Sequence, residues 1–255
     1  MTHLHNLTSR RKFVGGAAAG VVAAHAAEPA IPNSFPSHPP ELAKEMVSVS
    51  HGNAARVQEL LTVRPALANA AWDWGFGDWE TALGAASHMA RRDIAEMLLA
   101  RGAAPTLFSA AMLGDLEVVK AMIAARPGVQ RTLGPHSISL LAHARAAGEK
   151  SIRVFQYLQE LGDAGGLTAS EISEEELAKL TGEYVFGCGP NERIVISKKG
   201  KQLTLARNGS DGRPIHYVGD RTFRPAGAPA VRIDFGEPSV LTVHDGDLVI
   251  KARRI

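Results

Sequence analysis

Cysteine is nearly absent: the 255-residue chain has one, Cys188. No intramolecular disulfide can form, and no CxxC-type metal site exists. Aromatic residues are scarce at 5%, which favours closely packed, alanine-rich helices over a large β-sandwich. No apolar run approaches the roughly 20 residues needed to span a bilayer. An excess of charge is lacking too, with 28 Lys and Arg against 26 Asp and Glu. Three of those bases, Arg10, Arg11 and Lys12, lie in a leading segment without Asp or Glu, so the chain beyond it holds 25 bases against 26 acids. Near-neutrality of that kind gives no electrostatic basis for binding nucleic acid or an anionic membrane.

The leading segment reads as a targeting signal. Ser9-Arg10-Arg11-Lys12-Phe13-Val14 precedes a Gly/Ala-rich apolar stretch to Ala24, and Ala24-His25-Ala26 supplies a small-x-small cleavage pattern. Residues 1–26 therefore resemble a twin-arginine signal peptide. The resemblance implies export of an already folded protein to the periplasm or beyond, without stable membrane insertion after cleavage. Residues 27–40, with five prolines between Glu28 and Pro40, read as an extended linker.

From 41 to 165 the chain repeats itself loosely. Gly52-Asn53-Ala54-Ala55-Arg56-Val57-Gln58-Glu59-Leu60-Leu61 matches Gly114-Asp115-Leu116-Glu117-Val118-Val119-Lys120-Ala121-Met122-Ile123 in phase, and two further apolar helical patterns run over Arg92–Gly102 and Ile152–Gly162. Shorter, small-residue helices precede them at Thr81-Ala82-Leu83-Gly84-Ala85-Ala86, Thr106-Leu107-Phe108-Ser109-Ala110-Ala111 and Ser139-Leu140-Leu141-Ala142-His143-Ala144. The first of these occupies the place of the Thr-Pro-Leu-His-x-Ala signature, so the region resembles about four ankyrin repeats. The Pro and His of that signature are missing. The equivalent positions Leu60, Leu98, Met122 and Leu158 are spaced 38, 24 and 36 residues apart. The long interval predicts an extended finger between the first two repeats.

After Gly165-Gly166 the texture changes. A short helix over Glu174–Thr181 leads into eight β-like runs: 183–188, 193–198, 202–207, 214–218, 222–225, 230–235, 240–244 and 248–253. Lys199-Gly200 and Asp245-Gly246 read as tight hairpin turns. Residues 174–255 are thus expected to form an antiparallel meander or barrel. The fold class is α+β and multidomain: a helical, ankyrin-like solenoid followed by this small β-domain. The order Leu180-Thr181-Gly182-Glu183-Tyr184, Thr222-Phe223, Ile233-Asp234-Phe235 and terminal Ala252-Arg253-Arg254-Ile255 resembles the accessory β-domain that follows the catalytic domain of penicillin-binding-like serine hydrolases. The Ser-x-x-Lys nucleophile motif of such hydrolases is missing from residues 27–255.

Two constellations stand out. All three tryptophans fall in Trp72-Asp73-Trp74-Gly75-Phe76-Gly77-Asp78-Trp79-Glu80, on the expected finger. They read either as a recognition surface, with Asp78 and Glu80 as acceptors for a protein, peptide or glycan, or as anchors of a glycine-loosened loop. The second constellation is His88, His136 and His143. The repeat phase places His143 on the groove-facing side of its helix, with His88 one or two units away and His136 on a finger. No pair has His-x-x-x-His spacing, so a metal or acid–base site built from these histidines with Asp78 or Glu80 requires that the side chains converge in space. No cofactor motif is present. Cys188, between two glycines, reads as a structural thiol. The leading expectation is an exported, non-enzymatic binding module. The alternatives are a histidine-based metal site, enzyme or sensor, and a small-ligand cavity inside the β-domain.

Overall fold

The computed structural model describes residues 37–166, 171–207, 209–210, 212–236 and 239–255. The signal motif with Arg10 and Arg11, and the linker as far as residue 36, lie outside the described residues. Among the described residues there are nine α-helices and a closed, eight-stranded antiparallel barrel. None of these helices is long and apolar enough to cross a membrane.

The helices come in pairs: α1 (Pro40–Val49) with α2 (Ala54–Val63), α3 (Ala82–His88) with α4 (Arg92–Leu99), α5 (Leu107–Leu113) with α6 (Leu116–Ala125), and α7 (Leu140–Ala146) with α8 (Ile152–Leu161). The first helices form one row in which α1 neighbours α3, α3 neighbours α5 and α5 neighbours α7. Small residues make that row possible. In α3 the side chains of Ala82, Ala85 and Ala86 are fully buried, and Ala110 and Ala111 are buried in α5. The caps are local and legible. Thr81 accepts from the Gly84 N–H at 2.9 Å, Ser139 from Ala142 N–H at 3.2 Å, and Thr106 and Ser109 cap each other's backbone. Each second helix buries one apolar stripe: Val57, Leu60 and Leu61 in α2, Ile94, Ala95 and Leu98 in α4, Val154 and Leu158 in α8.

Two fingers project from this row. Between α2 and α3, β1 (Ala71–Asp73) pairs antiparallel with β2 (Trp79–Thr81), setting Trp72 opposite Glu80 and Asp73 opposite Trp79. Between α6 and α7, residues 133–139 fold back through a short helical turn, with Leu133 bridging Ser139.

Helix α9 (Glu174–Leu180) opens the barrel and is capped by the reciprocal Ser173–Glu176 pair. All eight expected strands form: β3 (Gly182–Val185), β4 (Arg193–Lys199), β5 (Gln202–Arg207), β6 (Arg213–Gly219), β7 (Thr222–Pro225), β8 (Arg232–Phe235), β9 (Val240–Asp245) and β10 (Leu248–Arg254), with β10 closing on β3. Gly200 (φ 61°) and Gly246 (φ 56°) supply the left-handed first residue of the β4–β5 and β9–β10 turns. Tyr184, Ile196, Leu203, Ile215, Phe223, Ile233, Phe235 and Leu241 are buried together with Leu177 and Leu180 of α9. The Tyr184 hydroxyl, buried with them, donates to Leu180 O at 2.9 Å. Side chains thus pack the β-domain core, and a cavity of about 580 Å³ opens against it beside α9, lined by Leu177, Leu203, Ile215, His216, Tyr217 and Phe223. Cys188 is exposed in the loop after β3 rather than forming part of a strand.

Phe223→Ala should destabilise the fold by about 3–5 kcal/mol, read as a lower denaturant midpoint at unchanged slope. His216 on β6 accepts from the Gln202 side chain at 3.1 Å and has Arg224 as its register partner. Burial holds its imidazole below the ordinary value. The neutral ring of the fold competes with an unfolded chain that takes up the proton first, so its contribution is present above about pH 6.5 and fades as the pH falls. His216→Gln should therefore lose less stability between pH 7 and pH 5 than the wild type in parallel urea titrations.

Candidate metal centre

Glu80 is the middle residue of β2, and its neighbours in the strand both point outward. That alternation turns its carboxylate inward, where none of it is exposed. Three imidazoles and one indole meet it there. His88, the last residue of α3, brings Nε2 to 2.8 Å from Oε1. His51, just past the end of α1, brings Nε2 to 3.4 Å from Oε2. His136, at the tip of the second finger, brings its own Nε2 to 3.4 Å from the same oxygen. The Trp74 indole donates to Oε2 at 2.8 Å. One ligand-type atom from each of His51, Glu80, His88 and His136 lies within 4.8 Å of all the others.

The outer ring nitrogens fix which atoms face inward. Nδ1 of His51 lies 3.1 Å from both Val47 O and Ser48 O, which can only accept, so Nδ1 carries the hydrogen. Nδ1 of His136 donates to Asp78 Oδ2 at 2.7 Å, and its backbone N–H donates to Oδ1 at 3.0 Å. In both rings Nε2 is the nitrogen presented to Glu80. An outer nitrogen engaged by a carbonyl or carboxylate is the usual support for a metal-binding histidine.

The charges are strongly perturbed. Burial alone would raise the Glu80 carboxyl, but hydrogen bonds from His136 and His88, with the nearby His51, hold it at about 2. Hydrogen bonds to Asp78 and then Glu80 hold the His136 imidazole at about 9, against burial. Desolvation pushes His143 down to about 4. His51 and His136 side chains are 29% and 31% exposed, while His88 is 7% exposed. The cluster is therefore reached from solvent on its His51–His136 side.

The expected site residues separate into three groups. His88, His136 and Glu80 converge, with Asp78 and Trp74 bracing them. His143 does not present itself to a groove. It is fully buried with Nδ1 on Ser139 O at 2.9 Å and Nε2 unpartnered, its ring 6.5 Å from that of His88. The small-residue helix row packs so closely that the position is enclosed. Asp78 and Glu80 are 2% and 0% exposed, so they are not surface acceptors; they are engaged by the histidines, the other role expected of them. Trp72 is half-buried beneath the Lys44 ammonium, 5.4 Å from its ring, and Trp79 alone of the three tryptophans is exposed, at 64%.

His51 was not among the expected residues. A signal for it existed: His51 and His88 lie 37 residues apart, close to the 38 that separates Leu60 from Leu98. Both histidines therefore end first helices of adjacent units in nearly the same phase. The chain matches no protein-family model and no curated protein sequence.

Trp74→Phe removes a donor from a buried carboxylate and should cost about 1.5–3 kcal/mol of stability. Trp79→Ala, on the surface, should stay within about 0.5 kcal/mol of wild type. Urea denaturation of the two variants checks the contrast.

Proposed function

We propose that this chain is an exported metal-binding protein in which His51, Glu80, His88 and His136 hold one divalent first-row transition ion. The observation that carries this reading is the convergence of three imidazole nitrogens on one buried carboxylate, with the outer nitrogens of His51 and His136 already committed. Imidazole with a single carboxylate and no thiolate suits Zn²⁺, Cu²⁺, Fe²⁺ or Ni²⁺ rather than Mg²⁺ or Ca²⁺, which prefer oxygen, or soft Cu⁺. Solvent access on one side gives the ion an entry path and leaves room for a water or small ligand.

The setting fits this reading. The paired helices and their fingers are taken as ankyrin-like repeats, with the ligands at the ends of first helices and on the fingers. The twin-arginine resemblance of residues 1–26 supports export to the periplasm after folding, a route suited to a protein that acquires its ion beforehand. The barrel is taken as a relative of the accessory β-domain of penicillin-binding-like hydrolases.

A second reading, recognition of a protein, peptide or glycan by the finger and helix groove, is favoured by Trp79, exposed on β2. Loss of a periplasmic co-purifying partner in Trp79→Ala, with metal content intact, would favour it.

Chelator-stripped protein titrated with Zn²⁺ in a competing metal buffer should take up one equivalent. His51→Ala, His88→Ala and His136→Ala should each weaken uptake by more than the roughly 10–100-fold typical of residues outside the ligand set, while His244→Ala should not. At free metal 100 times Kd the wild type should gain about 2.7 kcal/mol of stability. Absence of uptake by the wild type refutes the proposal.

A further inference from the structure

Two of the four proposed ligands, Glu80 and His136, ride on fingers whose backbone is bent into unfavourable conformations. Phe76, between two glycines, sits at φ 58°, and His136 and Ser137 sit at 58° and 61°, left-handed conformations that non-glycine residues seldom adopt. Such conformations persist when their surroundings impose them. Here part of those surroundings belongs to the barrel. Arg213, the first residue of β6, donates through Nη2 to Trp74 O at 2.5 Å and through Nη1 to Gly75 O at 2.9 Å and Ala226 O at 3.2 Å. The same Nη1 lies 3.4 Å from Asp78 Oδ2. The guanidinium also covers the Phe76 ring at 5.7 Å, and Phe76 packs against the barrel core.

The loop after β7 grips the second finger. Gly227 N–H donates to Ser137 Oγ at 2.6 Å. Its backbone, at φ 77°, lies so close to Asp78 that a Cβ there would overlap the carboxylate. Asp78 is thus enclosed by Arg213, by the Gly227 backbone and by both nitrogens of His136 that it accepts from.

We infer that the barrel is a working part of the metal centre: Arg213 and Gly227 are positioning residues that set Glu80 and His136 against His51 and His88. The inference rests on the metal-binding reading above. Metal affinity falls steeply when ligands are displaced by a few tenths of an ångström, and residues that orient ligands carry about 10–100-fold in affinity. Asp78 orients His136 directly, and Arg213 fixes both Asp78 and the carbonyls of the finger that leads into Glu80. By linkage, a bound ion holds the barrel onto the fingers as firmly as the barrel favours the ion.

The test uses the full chain, stripped with chelator and titrated with Co²⁺, whose visible absorption reports coordination number and ligand geometry. Arg213→Met should bind Co²⁺ about 10–100-fold more weakly than wild type and with an altered visible band. Gly227→Ala, whose added methyl presses on Asp78, should do the same. Arg207→Met is the control. Arg207 stacks on Phe186 at 4.8 Å and lines the same rim cavity as Trp74 and Phe76, without a hydrogen bond to either finger. It should match wild type in affinity and spectrum. If Arg213→Met and Gly227→Ala fold, by circular dichroism, and bind with wild-type affinity and spectrum, the inference is overturned and the metal site stands. If Arg213→Met does not fold, Gly227→Ala decides alone. If wild type takes up no Co²⁺ at all, the metal reading itself fails and the inference falls with it.

Discussion

A carboxylate with none of its surface in water has to be compensated, and Glu80 is such a group. The effective penalty for burying one ion is several kcal/mol even after relaxation. Three imidazoles and an indole N–H offset it, drawn from the ends of α1 and α3, the first finger and the second. They come from separate stretches of chain, so the helix row and both fingers must be in register for the charge to be tolerated. Much of the arrangement around residues 71–81 and 133–139 follows from that requirement.

The fingers show how the compensation is built. Phe76, His136 and Ser137 all adopt positive φ without being glycine, at a cost on the order of 1–3 kcal/mol each. Such strain is found where a side chain must be aimed, and here it aims Phe76 against the barrel core and His136 at Glu80. Asp78 links the two fingers, accepting from His136 on one and standing beside Arg213 of the barrel. The tryptophan cluster, so conspicuous in composition, divides accordingly. Trp74 serves the carboxylate, Trp72 packs on the helices, and Trp79 is left to solvent. Trp72 and Trp74 anchor the finger, and Trp79 is the member on which the surface reading rests.

His143 illustrates a limit of reasoning by repeat phase. In the row of first helices the positions between Ala110, Ala111 and Ala144 are closed off. Its Nδ1 turns back to its own helix at Ser139, and the ring lies tilted at 43° against Phe108, 4.9 Å between centroids. A position that faces a groove in a regular array becomes interior when the preceding finger folds over it, as residues 133–139 do here. Gly134 lies against the His143 ring so closely that a Cβ would sit 3.2 Å from it.

Local rules were sufficient for the elements themselves. The helical stripes, the Thr81, Thr106, Ser139 and Ser173 caps, the alternation of the strands and the glycines at 200 and 246 each depend on neighbours a few residues away, and the sequence contains all of them. It also contained the histidines and acids, and even the near-repeat interval between His51 and His88. Convergence was a different matter. His51, Glu80, His88 and His136 lie up to 85 residues apart, and no local pattern states how far one helix pair is rotated against the next or where a finger comes to rest. That Glu80 points inward is decided by hairpin register. That His136 reaches it is decided by Asp78, Arg213 and Gly227, the last two from a barrel that begins over 40 residues later. Secondary structure is set by short-range backbone and side-chain preferences, which a sequence displays directly. The site is set by the docking of separately specified pieces, which only packing in three dimensions resolves.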